Sequence, residues 1–192
     1  RAMTERGLQP DFPPEVRAQA DALDRAPIPA GPDLRDLRRL PFRDGAFDAA
    51  FSWYASLFMW GDEANLAALR EAARVVRPGG RLLVHHANPS RLAREPEARA
   101  ERTLAGGGRV EETSRFDAAT GVDSCARRLV RPDGTVLAGT AHLRYYTPTE
   151  WSALAPRGGL RLLGIASTLT PHPRTHLDPD APDLIALAEK VA

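Results

Sequence analysis

Asp36–Trp53 reads DLRRLPFRDGAFDAAFSW, and a little further on Arg74–Pro89 reads RVVRPGGRLLVHHANP. Within the first stretch, Phe47–Phe51 is a short apolar run broken by one acid and bounded upstream by Asp44-Gly45. Such a run predicts a buried strand. Asp62-Glu63 then opens a helix whose apolar positions Leu66, Leu69, Ala73 and Val76 recur at three- and four-residue steps. Acids at its start and Arg70, Arg74 and Arg77 towards its end suit the helix dipole. Pro78-Gly79-Gly80 is expected to stop the helix, because proline cannot continue it and glycine accepts a left-handed turn. Leu82-Leu83-Val84 follows as a second buried strand. Strand, helix, turn, strand is a β-α-β unit, so the two strands are expected to run parallel.

The rest of the composition narrows the classes open to such a unit. At 192 residues the chain is long enough for one domain with a real core. Its net charge of +1 gives no bulk pull towards nucleic acid or a membrane, so neither is expected as a partner. Lys190 is the lone lysine among 26 basic residues, which points to coding bias rather than an arginine-rich binding surface. Cys125 is the one cysteine, so no internal disulfide and no cysteine cluster for zinc is expected; a reduced, cytoplasmic setting fits. No stretch of the sequence approaches a membrane span.

The order of acid, LPF, FD and RPGG in DLRRLPFRDGAFDAAFSW…LREAARVVRPGGRLLVHHANP resembles the central part of a class I S-adenosylmethionine-dependent methyltransferase. The resemblance implies an α/β, Rossmann-like methyltransferase fold. That fold is a mostly parallel sheet with an antiparallel final strand and, here, an antiparallel β insertion. It implies a single domain over 1–192, with 105–146 as the insertion or lid, and S-adenosyl-L-methionine as cofactor. In the family an acid five residues before the proline of LPF reads the adenine amino group, and here that is Asp36. Leu37 beside it would cover the adenine face, since an amino donor needs an acceptor and a flat ring an apolar wall. The alternative for Asp36 is a surface acid paired with a neighbouring arginine.

Further upstream, Asp11-Phe12-Pro13-Pro14-Glu15 resembles the segment in which an acid ending the second strand precedes a helix. Asp11 then stands where the family places its ribose-binding carboxylate; the competing reading is a capping acid on a surface helix. No glycine-rich loop precedes Asp11, although the family's first strand ends in one. Gly106-Gly107-Gly108 and Gly158-Gly159 follow helix-like segments and read as turns. The chain is therefore expected to be an N-terminally truncated methyltransferase, or else a relative that has lost cofactor binding. Ala26–Pro32 reads as a loop, and Asp33–Leu37 as a short third strand.

Open α/β sheets bind ligands beyond the carboxyl ends of their strands. Ser52–Trp60, SWYASLFMW, follows the fourth strand of the family's order and is rich in aromatic residues. On the resemblance Ser52 and Trp53 would face the cofactor, and Tyr54 and Trp60 the substrate, with Leu57, Phe58 and Met59 as core. The next strand ends in His85-His86-Ala87-Asn88-Pro89. Successive strand side chains point to opposite faces, so one of His85 and His86 would look into the cleft as a base, the other serving structure. Adjacent strand residues diverge, so no metal pair is expected.

Ser90–Leu104 reads as a polar helix broken near Pro96. Three strands follow, Arg109–Phe116, Ala126–Arg131 and Thr135–Tyr145, joined by turns at Ala118–Gly121 and Pro132–Gly134. This insertion resembles the substrate lid of small-molecule methyltransferases, including those that act on sugar amines. Thr147 with Glu150 forms a capping-box pattern at the next helix. Tyr145 or Tyr146 would face the substrate, and Arg144 would pair with an anionic substrate or a structural acid. Leu160–Ser167 and Asp183–Val191 read as a closing antiparallel hairpin, the last strand beside the fifth. His172 and His176, with Pro173 between them, are not expected to bind metal.

The reading that follows is methyl transfer from S-adenosylmethionine to a nitrogen or oxygen of a small molecule. The alternative is a non-catalytic Rossmann-like module that has lost cofactor binding and acts as a binding or regulatory partner. A dinucleotide oxidoreductase ranks below both, since no G-x-G-x-x-G follows a strand. Without a first strand beside it, Phe47–Ser52 would present an open edge, so homodimer formation or low stability is expected.

Overall fold

The computed structural model describes residues 36–167 and 177–192. Asp11, the helix opened by Pro13-Pro14, the loop at 26–32, residues 33–35 of the expected third strand, His172 and His176 lie outside the described residues. Asp36 and Leu37 are not in a strand: the Arg39 N–H donates to the Asp36 carbonyl at 3.0 Å, closing a turn.

The β-α-β unit is present as expected. Strand β1 spans Phe47–Ser52, helix α1 Asp62–Val75 and strand β2 Val76–Ala87. β1 and β2 are parallel, with Ala50 opposite Leu82 and Ser52 opposite Val84. Leu66, Leu69 and Ala73 bury the inner face of α1 against Leu82 and Val84, as their spacing predicts. Each fully buried leucine contributes roughly 1.5–3 kcal/mol.

The helix stops earlier than Pro78-Gly79-Gly80 suggested. It ends at Val75, and Val76 is already paired with Phe47 as the first residue of β2. Two successive β-branched residues favour that extended exit. The Pro-Gly-Gly segment is instead a bulge: Phe47 faces Val76, Ala49 faces Arg81, and Arg77–Gly80 crowd opposite Asp48. Gly79 has φ +74°, and a Cβ on Gly80 would lie 2.5 Å from both the Asp48 carbonyl oxygen and Val76 Cγ1. Arg77 Nε, 2.6 Å from Asp48 Oδ1, pairs with the residue it bulges over.

The remaining elements are a short helix α2, Pro89–Leu92; strands β3, Glu97–Thr103, β4, Arg109–Asp117, β5, Val122–Val130, and β6, Val136–Arg144; helix α3, Pro148–Arg157; and strands β7, Leu160–Ala166, and β8, Asp183–Lys190. The expected helix over Ser90–Leu104 is corrected: only its first turn is helical, and Glu97–Thr103 is a strand pairing with β4. Two four-stranded sheets result, in the orders β1-β2-β8-β7 and β3-β4-β5-β6. The second is an antiparallel meander, as the turn signals predicted, with a fourth strand added at its front.

In the first sheet β8 lies antiparallel between β2 and β7, which bears out the closing hairpin and its place. The sheet is not mostly parallel over the described residues, where one parallel pairing accompanies two antiparallel ones. Helix α3 begins with the expected capping box, Thr147 accepting from the Glu150 N–H and Glu150 from the Thr147 N–H. Trp151, Leu154 and Leu160 join Leu69, Leu184 and Ala186 in the main core.

Ahead of β1, the LPF turn is tied to α1 by a charged cluster. Arg74 grips Glu71 through Nε at 2.8 Å and Nη2 at 2.6 Å, and reaches the Leu40 carbonyl and the Asp44 carboxylate. Glu71 also accepts the Leu40 N–H at 2.7 Å. The bond to Arg74 holds the Glu71 carboxyl below its ordinary range, outweighing burial, which acts the other way.

Candidate active site

Because β1 and β2 are parallel, Ser52 and His85–Ala87 emerge at the same end of the sheet. There the chain turns sharply. Tyr54 and Ala55 have φ +54° and +58°, two consecutive non-glycine residues in the left-handed region. Such a pair costs about 1–2 kcal/mol per residue and persists only where its surroundings hold it. Here the holder is His85. The Tyr54 N–H donates to His85 Nδ1 at 3.1 Å, and the Ala55 N–H to the His85 carbonyl at 2.9 Å. Trp53 stacks on the same imidazole with centroids 4.2 Å apart.

His85 Nδ1 accepts an amide proton, so its own proton sits on Nε2, which faces Asp183 Oδ1 at 3.1 Å. Its neighbour points the other way, as strand alternation requires. His86 Nε2 accepts the Trp151 indole N–H at 2.9 Å, which places the His86 proton on Nδ1, donated to the Ala87 carbonyl at 2.8 Å. Burial lowers the His86 pKa from 6.5 to about 4, so the ring is neutral. Both nitrogens of both rings are engaged. The base role expected for one of them has no free lone pair to act through; His85 shapes the turn and His86 anchors α3 to the sheet.

Of the remaining expected residues, Ser52 is buried with its Oγ 2.9 Å from Ser56 Oγ, and Tyr54 is 63% exposed beside the turn. Leu57 and Phe58 are core, as expected, whereas Met59 is exposed. The Asp36 carboxylate takes the N–H, Nε and Nη2 of Arg38, whose guanidinium also lies 5.4 Å over the Trp60 ring. That pairing is the surface-acid alternative, and it leaves one lone pair on Oδ2 for a further donor. Leu37 packs partly buried against the main core.

Trp60 is fixed through its backbone. The Asn65 side chain, fully buried, accepts the Trp60 N–H and donates to the Trp60 carbonyl. Asn65 also donates to the Tyr146 hydroxyl, which donates in turn to Asp62 Oδ1 at 2.9 Å. Arg144 lies 4.3 Å over the Tyr146 ring and pairs with Glu150 and, at 3.3 Å, with Asp62. Tyr146 and Arg144 therefore serve this internal network rather than a substrate, Arg144 taking the structural-acid option. Tyr145 is also buried, stacked near His86 and Phe116, and burial pushes its phenol well above its ordinary range.

Three polar residues at this end escaped the sequence reading. Asn88, fully buried, donates to the carbonyls of Asp178, Pro179 and Ala181 and caps α2, pinning the loop before β8 to the end of β2. Its place before Pro89 was a readable cap signal. Asn65 was readable as a polar residue on the apolar face of α1. Asp123, 8% exposed, gave no signal in the sequence.

The meander closes over this end. Phe116 of β4 and Tyr145 bury against Ala55, with Ala87, Leu92 and Leu143 packed around them. The Arg144 N–H donates to the Phe58 carbonyl at 2.8 Å, tying the end of β6 to the turn after β1. Among the described residues there is no group of three or more metal-ligating side chains, and no helix long and apolar enough to cross a membrane.

Comparison with known proteins places this arrangement. Residues 5–84 match the family model described as a methyltransferase domain. A 45-residue stretch is 53% identical to the uncharacterized protein YafE of Escherichia coli K12, covering 23% of this chain and 20% of that protein. The chain thus matches only a small part of its curated relative's length. A Clostridium acetobutylicum S-adenosylmethionine-dependent methyltransferase superposes with TM-score 0.68 at 12% identity, over 93% of this chain and 70% of that one. The sugar N-methyltransferase KedS8 of Streptoalloteichus superposes with TM-score 0.59 at 17% identity, over 93% and 68%. At these identities the likeness is one of fold.

Proposed function

We propose that the chain is a class I S-adenosylmethionine-dependent methyltransferase and that it transfers a methyl group to a nitrogen or oxygen of a small molecule at the carboxyl ends of β1 and β2. The observation that carries this reading is the left-handed Tyr54–Ala55 turn, held against His85 where the two parallel strands end. Strain retained at that end of an open sheet, under a separate antiparallel sheet, suits a ligand site.

The donor set fits the cofactor. Asp36 keeps an unused acceptor position beside the apolar Leu37, which suits the adenine amino group and ring face. Ser52 and Trp53 stand at the strand end, where the rest of the cofactor would be held, and Asp11 remains our assignment for the ribose. When bound, the cofactor supplies a methyl group on an already activated sulfonium. The chain's own task is then to hold the acceptor in line and exclude water, which is where most of the acceleration arises. A neutral amine needs no base, in keeping with two histidines whose nitrogens are all engaged. The meander β3–β6 is assigned as the lid, with Tyr54 facing the acceptor, and the edge that β1 presents among the described residues as a place for homodimer contact. Likeness in fold to a sugar N-methyltransferase favours a small polar amine as acceptor.

Calorimetric titration with S-adenosylhomocysteine tests the reading. Micromolar binding, weakened at least tenfold by Asp36→Ala, is expected. Absence of binding would overturn it and favour the alternative, a non-catalytic module, to which the Arg38 grip on Asp36 lends its one specific support.

A further inference from the structure

Antiparallel pairing of β2 with β8 sets His85 opposite Ile185 and Ala87 opposite Asp183. Residues two apart on a strand share a face, so the Asp183 side chain stands diagonally across from the imidazole. Its direct neighbour across the ladder is an alanine, short enough for the carboxylate to lean along the strand. Asp183 Oδ1 accordingly lies 3.1 Å from His85 Nε2.

The approach to this contact is fixed from the chain just before it. The Asn88 N–H donates to the Pro182 carbonyl at 2.8 Å, and the Asn88 side chain donates to the carbonyls of Asp178, Pro179 and Ala181. Asn88 is fully buried, so the backbone entering β8 is anchored to the end of β2. Of the other acids here, Asp180 pairs with Arg94, and Asp178 accepts the Asp180 N–H. Among the described residues Asp183 has no arginine or lysine partner; its carboxylate meets the imidazole.

A carboxylate beside one ring nitrogen decides what the other can do. Ionised Asp accepts only, so it favours the proton on Nε2 and leaves Nδ1 its lone pair. That lone pair takes the Tyr54 N–H at 3.1 Å. With the proton on Nδ1 instead, two N–H groups would face each other, and the left-handed Tyr54–Ala55 turn would lose its bond to the ring.

We propose that Asp183 is a positioning residue for the cofactor site: acting through His85, it holds the turn after β1 in its binding geometry. This deepens the methyl-transfer reading and rests on it only for the identity of the ligand that the turn receives. Groups that orient a functional imidazole commonly matter nearly as much as the imidazole itself. The closing hairpin is thereby tied to the site, because the turn is set only when β8 is seated on β2.

The test follows the whole chain by NMR, reading the His85 ring nitrogens and the exchange rate of the Tyr54 amide. In the unsubstituted protein His85 is expected in the Nε2–H form with Tyr54 protected. Asp183→Ala should give a mixture of ring forms and at least tenfold faster Tyr54 exchange. Asp183→Asn, which keeps a neutral acceptor of the same size, should recover most of the protection. The His86 ring, set by Trp151, should be unchanged in both and reports an intact fold. An unaltered His85 ring with unaltered Tyr54 exchange in Asp183→Ala would overturn the proposal. So would an equal loss of protection along β8, which would make Asp183 a strand residue and no more.

Titration with S-adenosylhomocysteine separates the two ideas. Binding at least fivefold weaker in Asp183→Ala supports both, whereas unchanged affinity beside faster Tyr54 exchange removes the positioning role alone. Absence of binding to the unsubstituted chain removes the methyl-transfer reading, and the link from Asp183 through His85 to Tyr54 then stands or falls on the NMR result.

Discussion

The Trp151 indole N–H donates to His86 Nε2 at 2.9 Å, and both rings are fully buried. A helix residue and a strand residue 65 positions apart are joined by that bond, a polar link amid the apolar contact between α3 and the sheet. Trp151→Phe keeps a ring but leaves an imidazole nitrogen buried and unpaired. The expected cost is about 2–4 kcal/mol, read from urea unfolding at neutral pH.

The same histidine gives stability a pH dependence. Its pKa is lowered in the folded protein from 6.5 to about 4, mainly by burial. The unfolded chain therefore binds a proton that the folded chain refuses. Stability from this source is complete above pH 6.5 and is lost progressively as pH falls towards 4, by about 3 kcal/mol in all. Unfolding curves across that window should flatten by a similar amount in His86→Gln, which can still accept from the indole; an unchanged slope would contradict the assignment.

Glu71 acts over a more acidic range. Arg74 lowers its folded pKa, so its contribution is present above its unfolded value and disappears as pH falls through the folded one. Glu71→Gln loses the two-pronged grip that fastens the LPF turn to α1, at a cost of about 2 kcal/mol. The variant's stability should also lose this part of its acid dependence, checked by unfolding at pH 7 and pH 3.5.

His85 separates shape from proton transfer. His85→Ala removes the acceptor for the Tyr54 N–H and the stack on Trp53. Affinity for S-adenosylhomocysteine is expected to fall at least tenfold, whereas His85→Asn, which retains a short acceptor, should keep most of it. If both variants bound normally and lost methyl transfer alike, the imidazole would be a base after all.

Gly80 tests the bulge. A Cβ there would meet the Asp48 carbonyl oxygen and Val76 Cγ1, both at 2.5 Å, so Gly80→Ala should cost about 3 kcal/mol. At Gly61, where nothing lies within 4 Å, the same change should cost about 0.5 kcal/mol or less. Thermal melts of the pair make the comparison.

What could be read in advance was what neighbouring residues encode. The parallel unit, the Thr147–Glu150 capping box and the hairpin turns at Gly121 and Gly134 all rest on local spacing, and all are present. Glu97–Thr103, EARAERT, has neither strand alternation nor β-branched residues apart from its last threonine, and it is exposed throughout. Pairing with β4 makes it a strand against its own helix preference. The site was harder for a similar reason. Where the protons of His85 and His86 sit is set by Tyr54, Asp183 and Trp151, contacts made only once the chain has folded. Tyr145 and Tyr146, adjacent and chemically alike, were separable only by what surrounds them.

The placement of β8 between β2 and β7 has a kinetic consequence. The register Arg81 opposite Glu189 closes a loop of roughly a hundred residues, whereas every pairing in the meander joins strands adjacent in sequence. During synthesis the meander can assemble as soon as its last hairpin leaves the ribosome, while β2 must wait with one side unmatched until Asp183–Lys190 follows. The meander would then be made before the sheet it packs against, and the interval before β8 arrives is when the nascent sheet is most open to pairing with the wrong strand.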